Sequence, residues 1–357
     1  MEPLTGSLIY NLILKKKVLI TGGLGYIGSH TAVSLIENGY EVVIIDSLVN
    51  SKLEVLDRIN QITGVLPVFA HLDLCEYAKL IQFFDSEKGK NISAVIHFAA
   101  FKNVGESTAK PLKYYQNNLL ALINLLIAME NNNLGNLVFS SSCSVYGEPT
   151  EVPVKETSQL QPAVSPYGNT KRISEEIIAD TVKNEQFQSI ALRYFNPIGA
   201  HPSSKLGEFP SEYADNVMPA LTEVAIGKRD KFMVYGGDYN TRDGSCIRDY
   251  IDIMDLAEAH VKAIDYLIDK GTEAPLEVYN IGVGNGISVL ELIAAFEKAT
   301  GRKIDFELMG RREGDIERVY ADPSLANKKL QWKATRSLDE MVQSAWNWQE
   351  SLHQQTS

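Results

Sequence analysis

Residues 21–28 read Thr-Gly-Gly-Leu-Gly-Tyr-Ile-Gly, directly after the apolar run Val18-Leu19-Ile20, and a single acid, Asp46, closes the next apolar run, Val42-Val43-Ile44-Ile45. Strand, glycine turn, helix and terminal acid at this spacing predict a dinucleotide site. Gly22 turns the chain off a strand, Gly25 lets backbone approach a pyrophosphate at a helix N-terminus, and Gly28 lets that helix pack on the strand. The Asp46 carboxylate would accept from the adenosine ribose hydroxyls and repel a 2′-phosphate. Because Ser47 rather than an arginine follows it, NAD is expected over NADP.

Working outward, short β-branched runs at 17–21, 41–46, 66–70, 93–98, 136–141 and 188–194 alternate with helical periods at Ile27–Asn38, Glu76–Phe84, Pro111–Asn131 and Tyr167–Lys183. This is the pattern of an α/β fold, a doubly wound parallel sheet (Rossmann) covered on both faces. Beyond Pro197 regularity falls, with breaks at Pro202, Gly207, Pro210, Gly236, Gly237 and Gly244 before a helix at Ser288–Thr300. We expect residues 1–16 to form an N-terminal extension, 17–196 the NAD-binding domain, and 197–357 a smaller α/β substrate domain, with a segment such as 248–262 returning to the first. That later region should cover the carboxyl ends of the strands, where ligands sit in such sheets.

The chain has 357 residues, 45% of them hydrophobic, which can bury a large core. With 34 basic against 45 acidic residues its net charge is −11, which argues against a nucleic-acid partner. An anionic ligand must therefore be met by local cations. Three cysteines, Cys75, Cys143 and Cys246, lie far apart without a Cys-x-x-Cys pair, so neither a disulfide framework nor a metal site is indicated and a reducing cytoplasm is expected. The apolar stretch Ser7–Leu14 is too short to span a bilayer, and its lysines follow it.

Tyr167 and Lys171 are four apart at the start of a helix, so they share a face. An ammonium beside a phenol favours the phenolate, which can then remove a hydroxyl proton. The spacing alone is weak, since 16 tyrosines give roughly one such pair by chance. Context sharpens it: the pair follows Ser165-Pro166 and lies 25 residues beyond Ser140-Ser141-Ser142, the end of a buried-looking strand.

With these residues in view the chain resembles the extended short-chain dehydrogenases/reductases, and among them the UDP-galactose 4-epimerase family, over Lys17–Trp348. The resemblance is carried by the glycine motif, Ile96-His-Phe-Ala-Ala100, Val104-Gly-Glu-Ser107, Ser140-Ser-Ser142, Ser165-Pro-Tyr-Gly168, Arg193-Tyr-Phe-Asn-Pro197, Val217-Met-Pro219, Arg248-Asp-Tyr250 and Arg311-Arg-Glu-Gly-Asp315. It implies Tyr167 as base and acid, Lys171 as the residue that tunes it and binds the nicotinamide ribose, and Ser142 as a bridge to the sugar hydroxyl. Around the cofactor it implies Gly22, Gly25, Tyr26, Ile27, Gly28, Asp46, Asn50, Asp73, Leu74, Phe98, Ala99, Ala100, Lys102, Asn117 and Tyr194. Around a UDP-sugar it implies Lys102, Asn196, Asn216, Val217, Tyr235, Arg248, Arg312, Asp315 and Val319, and it implies a homodimer through helices such as Pro111–Asn131. The implied reaction takes a hydride from sugar C4 to tightly bound NAD, gives a 4-keto sugar, rotates it about its diphosphate link and returns the hydride to the other face.

Competing readings attach to several residues. Arg248 and Arg312 suit a diphosphate because a guanidinium is a planar fork of donors, but they could pair with Asp249, Glu313 or Asp315. His97 reads as a core histidine, and Cys143 as packing. A 4,6-dehydratase would need an Asp-Glu pair after Ser142, where Cys143 and Ser144 stand. Val319 falls where the family carries either a bulky tyrosine or a small residue beside the sugar C2 substituent, so N-acetylated UDP-sugars are expected to be accepted, unless the valine merely packs.

Overall fold

A computed structural model describes residues 16–183, 187–209, 216–312 and 314–356; the expected extension, apart from Lys16, lies outside them. Six strands appear where the hydrophobic runs place them: β1 (Lys17–Thr21), β2 (Glu41–Asp46), β3 (Val68–His71), β4 (Ile92–His97), β5 (Asn136–Ser142) and β6 (Gln188–Tyr194). β3 starts two residues later than expected. Pro67 has no N–H for the ladder, and Leu66 before it is 60% exposed.

A seventh strand, Leu276–Ile281, pairs in parallel with β6, giving the order 276–281, β6, β5, β4, β1, β2, β3. The sequence reading missed it because Glu277 and Asn280 interrupt its apolar pattern. Asn280 is nonetheless fully buried, accepting from the Tyr146 hydroxyl at 2.6 Å and donating to the Val154 carbonyl at 2.9 Å.

Alternation of side chains sends Val18, Ile20 and Ile44 to one face and Leu19, Val43 and Ile45 to the other. On the first face lie α1 (Tyr26–Glu37), α2 (Glu54–Thr63) and the helix Ile253–Asp269; on the second lie α3 (Tyr77–Asp85), α5 (Pro111–Asn131) and α6 (Pro166–Thr181), the short α4 (Val104–Ala109) preceding α5. Each fully buried Ile or Leu contributes about 1.5–3 kcal/mol, so two such faces hold the sheet rigid beneath its loops. The helix Ile253–Asp269 thus returns to the main sheet, and it starts at Asp252, whose side chain accepts from the Met254 amide at 2.8 Å.

The later residues build a separate apolar cluster around Leu221, Val234, Tyr250, Leu292, Phe296 and Trp346. The helix Val289–Thr300 begins with a reciprocal cap between Ser288 and Glu291, which is why its start is legible in sequence. Among the described residues, no helix is long and apolar enough to cross a membrane.

Candidate active site

The glycine loop has a geometry that side chains would block. Gly22 has φ +70°, and a Cβ there would stand 2.8 Å from the Ala99 amide nitrogen at the end of β4. At Gly28 a Cβ would meet the Gly22 carbonyl oxygen at 2.4 Å, so this glycine lets α1 close on the turn. Gly25, at the N-terminus of α1, would meet only that same oxygen, at 3.3 Å. A Cβ at Gly25 would point into the open cradle, and an anion fits there against the first turn of the helix.

Asp46 ends β2 with its carboxylate already oriented: Oδ2 accepts from the Leu24 amide at 3.0 Å, and Oδ1 from the Leu48 amide at 2.9 Å and the Ser51 hydroxyl at 2.7 Å. One cleft is lined by Gly22, Gly25, Asp46, Asn50, Asp73, Leu74, Ala99, Ala100 and Asn117, residues from five separate stretches of chain. The remaining residues named for the cofactor behave differently. The Tyr26 hydroxyl turns away to the Gly199 carbonyl at 2.7 Å, Ile27 packs against the core, and Phe98 lies on His260 with ring centres 4.7 Å apart. For Tyr26 and Ile27 this leaves the backbone amides as the groups facing the turn.

Along the same strand ends, β5 finishes at Ser142, which is paired in register with Tyr194 of β6. α6 starts against it because Ser165 caps the helix, accepting from the Gly168 amide at 3.1 Å, and Pro166 occupies the first turn. Gly168 eases this close approach, since a Cβ would stand 3.1 Å from the Ser144 carbonyl, a tight contact. Tyr167 and Lys171 are thereby both buried, at 9% and 4% exposure. The Lys171 ammonium donates to the Ser140 carbonyl at 2.6 Å and sits 4.9 Å from the centre of the Phe139 ring.

The proton affinities differ from the sequence expectation. Burial lowers Lys171 to about 8, the nearby Glu175 carboxylate opposing it. Burial also pushes the Tyr167 phenol well above its usual range, helped by Tyr194 and resisted by a hydrogen bond to Ser142. Sequence spacing suggested an acidified phenol; desolvation outweighs that effect. His97 is held near 3 by burial and then by Lys171, and bonds Thr21 at 2.7 Å. Burial raises the Cys143 thiol to about 12, so neither residue offers a reactive group.

A buried network next to this pair was absent from the sequence reading. Glu175 receives Arg193 Nε at 2.9 Å and Nη2 at 2.6 Å, together with the Ser141 hydroxyl at 2.5 Å. Arg193 also donates to Tyr146 at 3.0 Å. The helical spacing of Tyr167, Lys171 and Glu175 on one face was the available signal; its partner on β6 was not.

In the later region Tyr235, Arg248, Arg312 and Asp315 meet. Arg312 donates to Asp315 at 3.2 Å and lies 5.3 Å from the Tyr235 ring, while Arg248 reaches Asp315 at 3.6 Å and the Ile316 carbonyl at 2.7 Å. Of the acids named as competing partners, Asp315 takes both arginines. Asp249 is instead occupied by the amides of Val283, Gly284 and Ala321, and residue 313 lies outside the described residues. Asn196 opens the strand 196–198, beside Tyr250. Val217 starts a helix just after Asn216, and Asn216 donates to Glu208 at 2.6 Å. Lys102 reaches the same Glu208 at 3.0 Å. Val319 is only 3% exposed, clustered with Val145, Tyr146, Val154, Phe195 and Ala321.

The family model for GDP-mannose 4,6 dehydratase matches residues 19–345. A UDP-glucose 4-epimerase of Yersinia enterocolitica is 47% identical over 93% of this chain and 97% of its own. The UDP-glucose 4-epimerase of Stenotrophomonas maltophila, solved with NAD and formylated UDP-arabinopyranose, superposes with a TM-score of 0.91 at 44% identity, covering 95% of this chain and 99% of that one. That of Bifidobacterium longum, in complex with NAD+ and UDP, gives 0.90 at 44% identity, covering 94% and 98%.

Proposed function

Because the chain belongs to the UDP-glucose 4-epimerase family of extended short-chain dehydrogenases/reductases, we propose that it interconverts UDP-glucose and UDP-galactose by inverting C4 of the sugar. The observation that carries this reading is the meeting of two sites on one row of strand ends: the glycine cradle with Asp46 after β1 and β2, and Ser142 with Tyr167 and Lys171 after β5. The cradle fits NAD, for the space beside Gly25 is open and Asp46 presents acceptors to a ribose diol. Bound NAD supplies the acceptor for the C4 hydride and a positive ring charge that favours the Tyr167 phenolate.

The chain's own groups do the rest. Tyr167 accepts the proton of the 4-hydroxyl and later gives it back, so one residue serves as base and acid. Ser142, whose hydroxyl works against the rise of the phenol's proton affinity, steadies the hydroxyl between them. Lys171, fixed on the Ser140 carbonyl, holds its positive charge below about pH 8 and binds the nicotinamide ribose in this reading, as the family resemblance implies. Arg248 and Arg312 clamp the diphosphate while Asn216, Val217 and Tyr235 hold uridine, and a diphosphate must compete with Asp315 for both guanidinium groups. With uridine clamped at this end, the oxidised sugar is free to turn about its diphosphate link. No net redox change results.

We further propose a homodimer and a cytoplasmic location, the latter supported by three unpaired, well-separated thiols. Purified protein given UDP-glucose without added NAD is expected to form UDP-galactose, followed by the anomeric proton resonances. Tyr167→Phe should lose roughly 10²- to 10⁴-fold in rate while UDP affinity is retained. A purified protein that contains NAD yet leaves UDP-glucose untouched overturns the proposal.

A further inference from the structure

We propose that Glu175 is a positioning residue of the Tyr167–Lys171 pair: gripped by Arg193 and tied to Ser141, it is the buried counter-charge that keeps the Lys171 ammonium charged yet free for the coenzyme. The inference rests on the nucleotide-sugar reading above and adds to it a residue that works through Lys171.

Glu175 lies one helical turn beyond Lys171 on α6, so the two side chains share a face. Both of its oxygens are engaged by other donors. Oε1 accepts from Arg193 Nε at 2.9 Å and from the Ser141 hydroxyl, and Oε2 from Arg193 Nη2 at 2.6 Å. Arg193 is fixed in turn, for Nη1 donates to the Tyr146 hydroxyl at 3.0 Å, and that hydroxyl donates to Asn280 at 2.6 Å. The carboxylate is thus held in place by α6, β5, β6 and the strand Leu276–Ile281 together. Lys171 meanwhile donates to the Ser140 carbonyl at 2.6 Å, and the other donors of its ammonium remain for a ribose and the phenol.

A buried ion pair adds little stability over apolar side chains of the same volume, so the Glu175–Arg193 pair calls for another reason. Lys171 supplies it. The ammonium is buried, and desolvation lowers its proton affinity to about 8 even with the Glu175 carboxylate opposing. The other groups around it bring no negative charge near neutral pH. On β4, His97 is held near 3 by burial and then by Lys171, and is neutral. On β6, burial raises the Tyr194 phenol to about 12, and its hydroxyl bonds Ser140. Burial likewise raises Tyr167 on α6 and the Cys143 thiol after β5. On α4 and α5, Glu106 is taken by Lys113 and by Tyr114, while β5 offers the Phe139 ring at 4.9 Å. With Glu175 neutralised, an ammonium at this depth becomes an amine near neutral pH, and the phenol loses the charge that favours its ionised form.

The test is kcat against pH on the NAD-loaded protein with saturating UDP-glucose. In Glu175→Gln the alkaline limb should move about one pH unit or more toward neutral, so the ratio of kcat at about pH 8.5 to kcat at about pH 6.5 should fall about threefold or more relative to the parent. Loss of packing alone lowers kcat equally at both. Glu175→Asp, which keeps the charge, is expected to restore most of the ratio. Should Glu175→Gln fail to fold because it strands the Arg193 guanidinium, Glu175→Gln combined with Arg193→Met removes both charges and is expected to lower the ratio in the same sense. A profile parallel to the parent's in the folded variant overturns the assignment and reduces Glu175 to a structural tie. A parent protein that leaves UDP-glucose unchanged at every pH overturns the nucleotide-sugar reading and the assignment with it.

Discussion

Tyr167 and Lys171 are set in surroundings that oppose the charge each needs, and the cost is met by single contacts. Burial brings Lys171 to about 8 and lifts Tyr167 far above neutrality, while Glu175 and Ser142 work in the other direction. Their spacing made them visible in sequence, because helical neighbours are set by the backbone alone. The Lys102–Glu208 pair was not equally visible: its members stand 106 positions apart, and only the folded chain brings them together. Val319 raises the sharpest question at this scale. It is buried and packed among Val145, Tyr146 and Phe195, and it is smaller than the tyrosine that the family resemblance allows at this position. The parent protein is expected to turn over UDP-N-acetylglucosamine, and Val319→Tyr to lose that activity roughly tenfold or more relative to UDP-glucose. Complete absence of turnover of N-acetylated sugars by the parent would refute the expectation.

At the scale of elements, the glycine loop, β1, β2, α1 and α6 were legible because each is decided by local chemistry: a positive φ, a capping serine, an alternating strand. The strand Leu276–Ile281 and the whole helix Ile253–Asp269 escaped because their burial comes from partners distant in the chain. The start of that helix makes a testable point. Asp252 is 2% exposed and caps it, and burial raises its carboxyl to about 7, with Arg336 and the Met254 amide opposing and Asp255 reinforcing. Arg336 also binds Asp255 and Glu258. The folded state holds the Asp252 proton more tightly than the unfolded chain does, so stability falls as pH rises from the unfolded value of about 4 toward 7. Asp252→Asn keeps a cap and removes the ionisation; it should raise the melting temperature more at pH 8 than at pH 5, by the equivalent of about 1–4 kcal/mol. An equal shift at both pH values would refute it.

For the whole molecule, acidic net charge and local cations fit together: cations sit where the anionic ligand is proposed, at Arg248, Arg312 and Lys102. The outer side of α5 carries Leu120, Ile123 and Ile127, at 37%, 38% and 40% exposure and spaced along one helical stripe. The homodimer implied by the family resemblance would cover this stripe with a second copy. Ile123→Glu should then shift the light-scattering mass from two chains to one; a parent protein that runs as a single chain removes the basis for the proposal.

The strand Leu276–Ile281 lies beside β6, and the helix Ile253–Asp269 roofs one face of a sheet made mostly by earlier residues. A gene fragment ending near residue 196 would leave β6 as a bare margin and an oily surface without its roof. Such a truncated product is destined for aggregation, not nucleotide capture, so the two halves of this polypeptide must be inherited, expressed and engineered together.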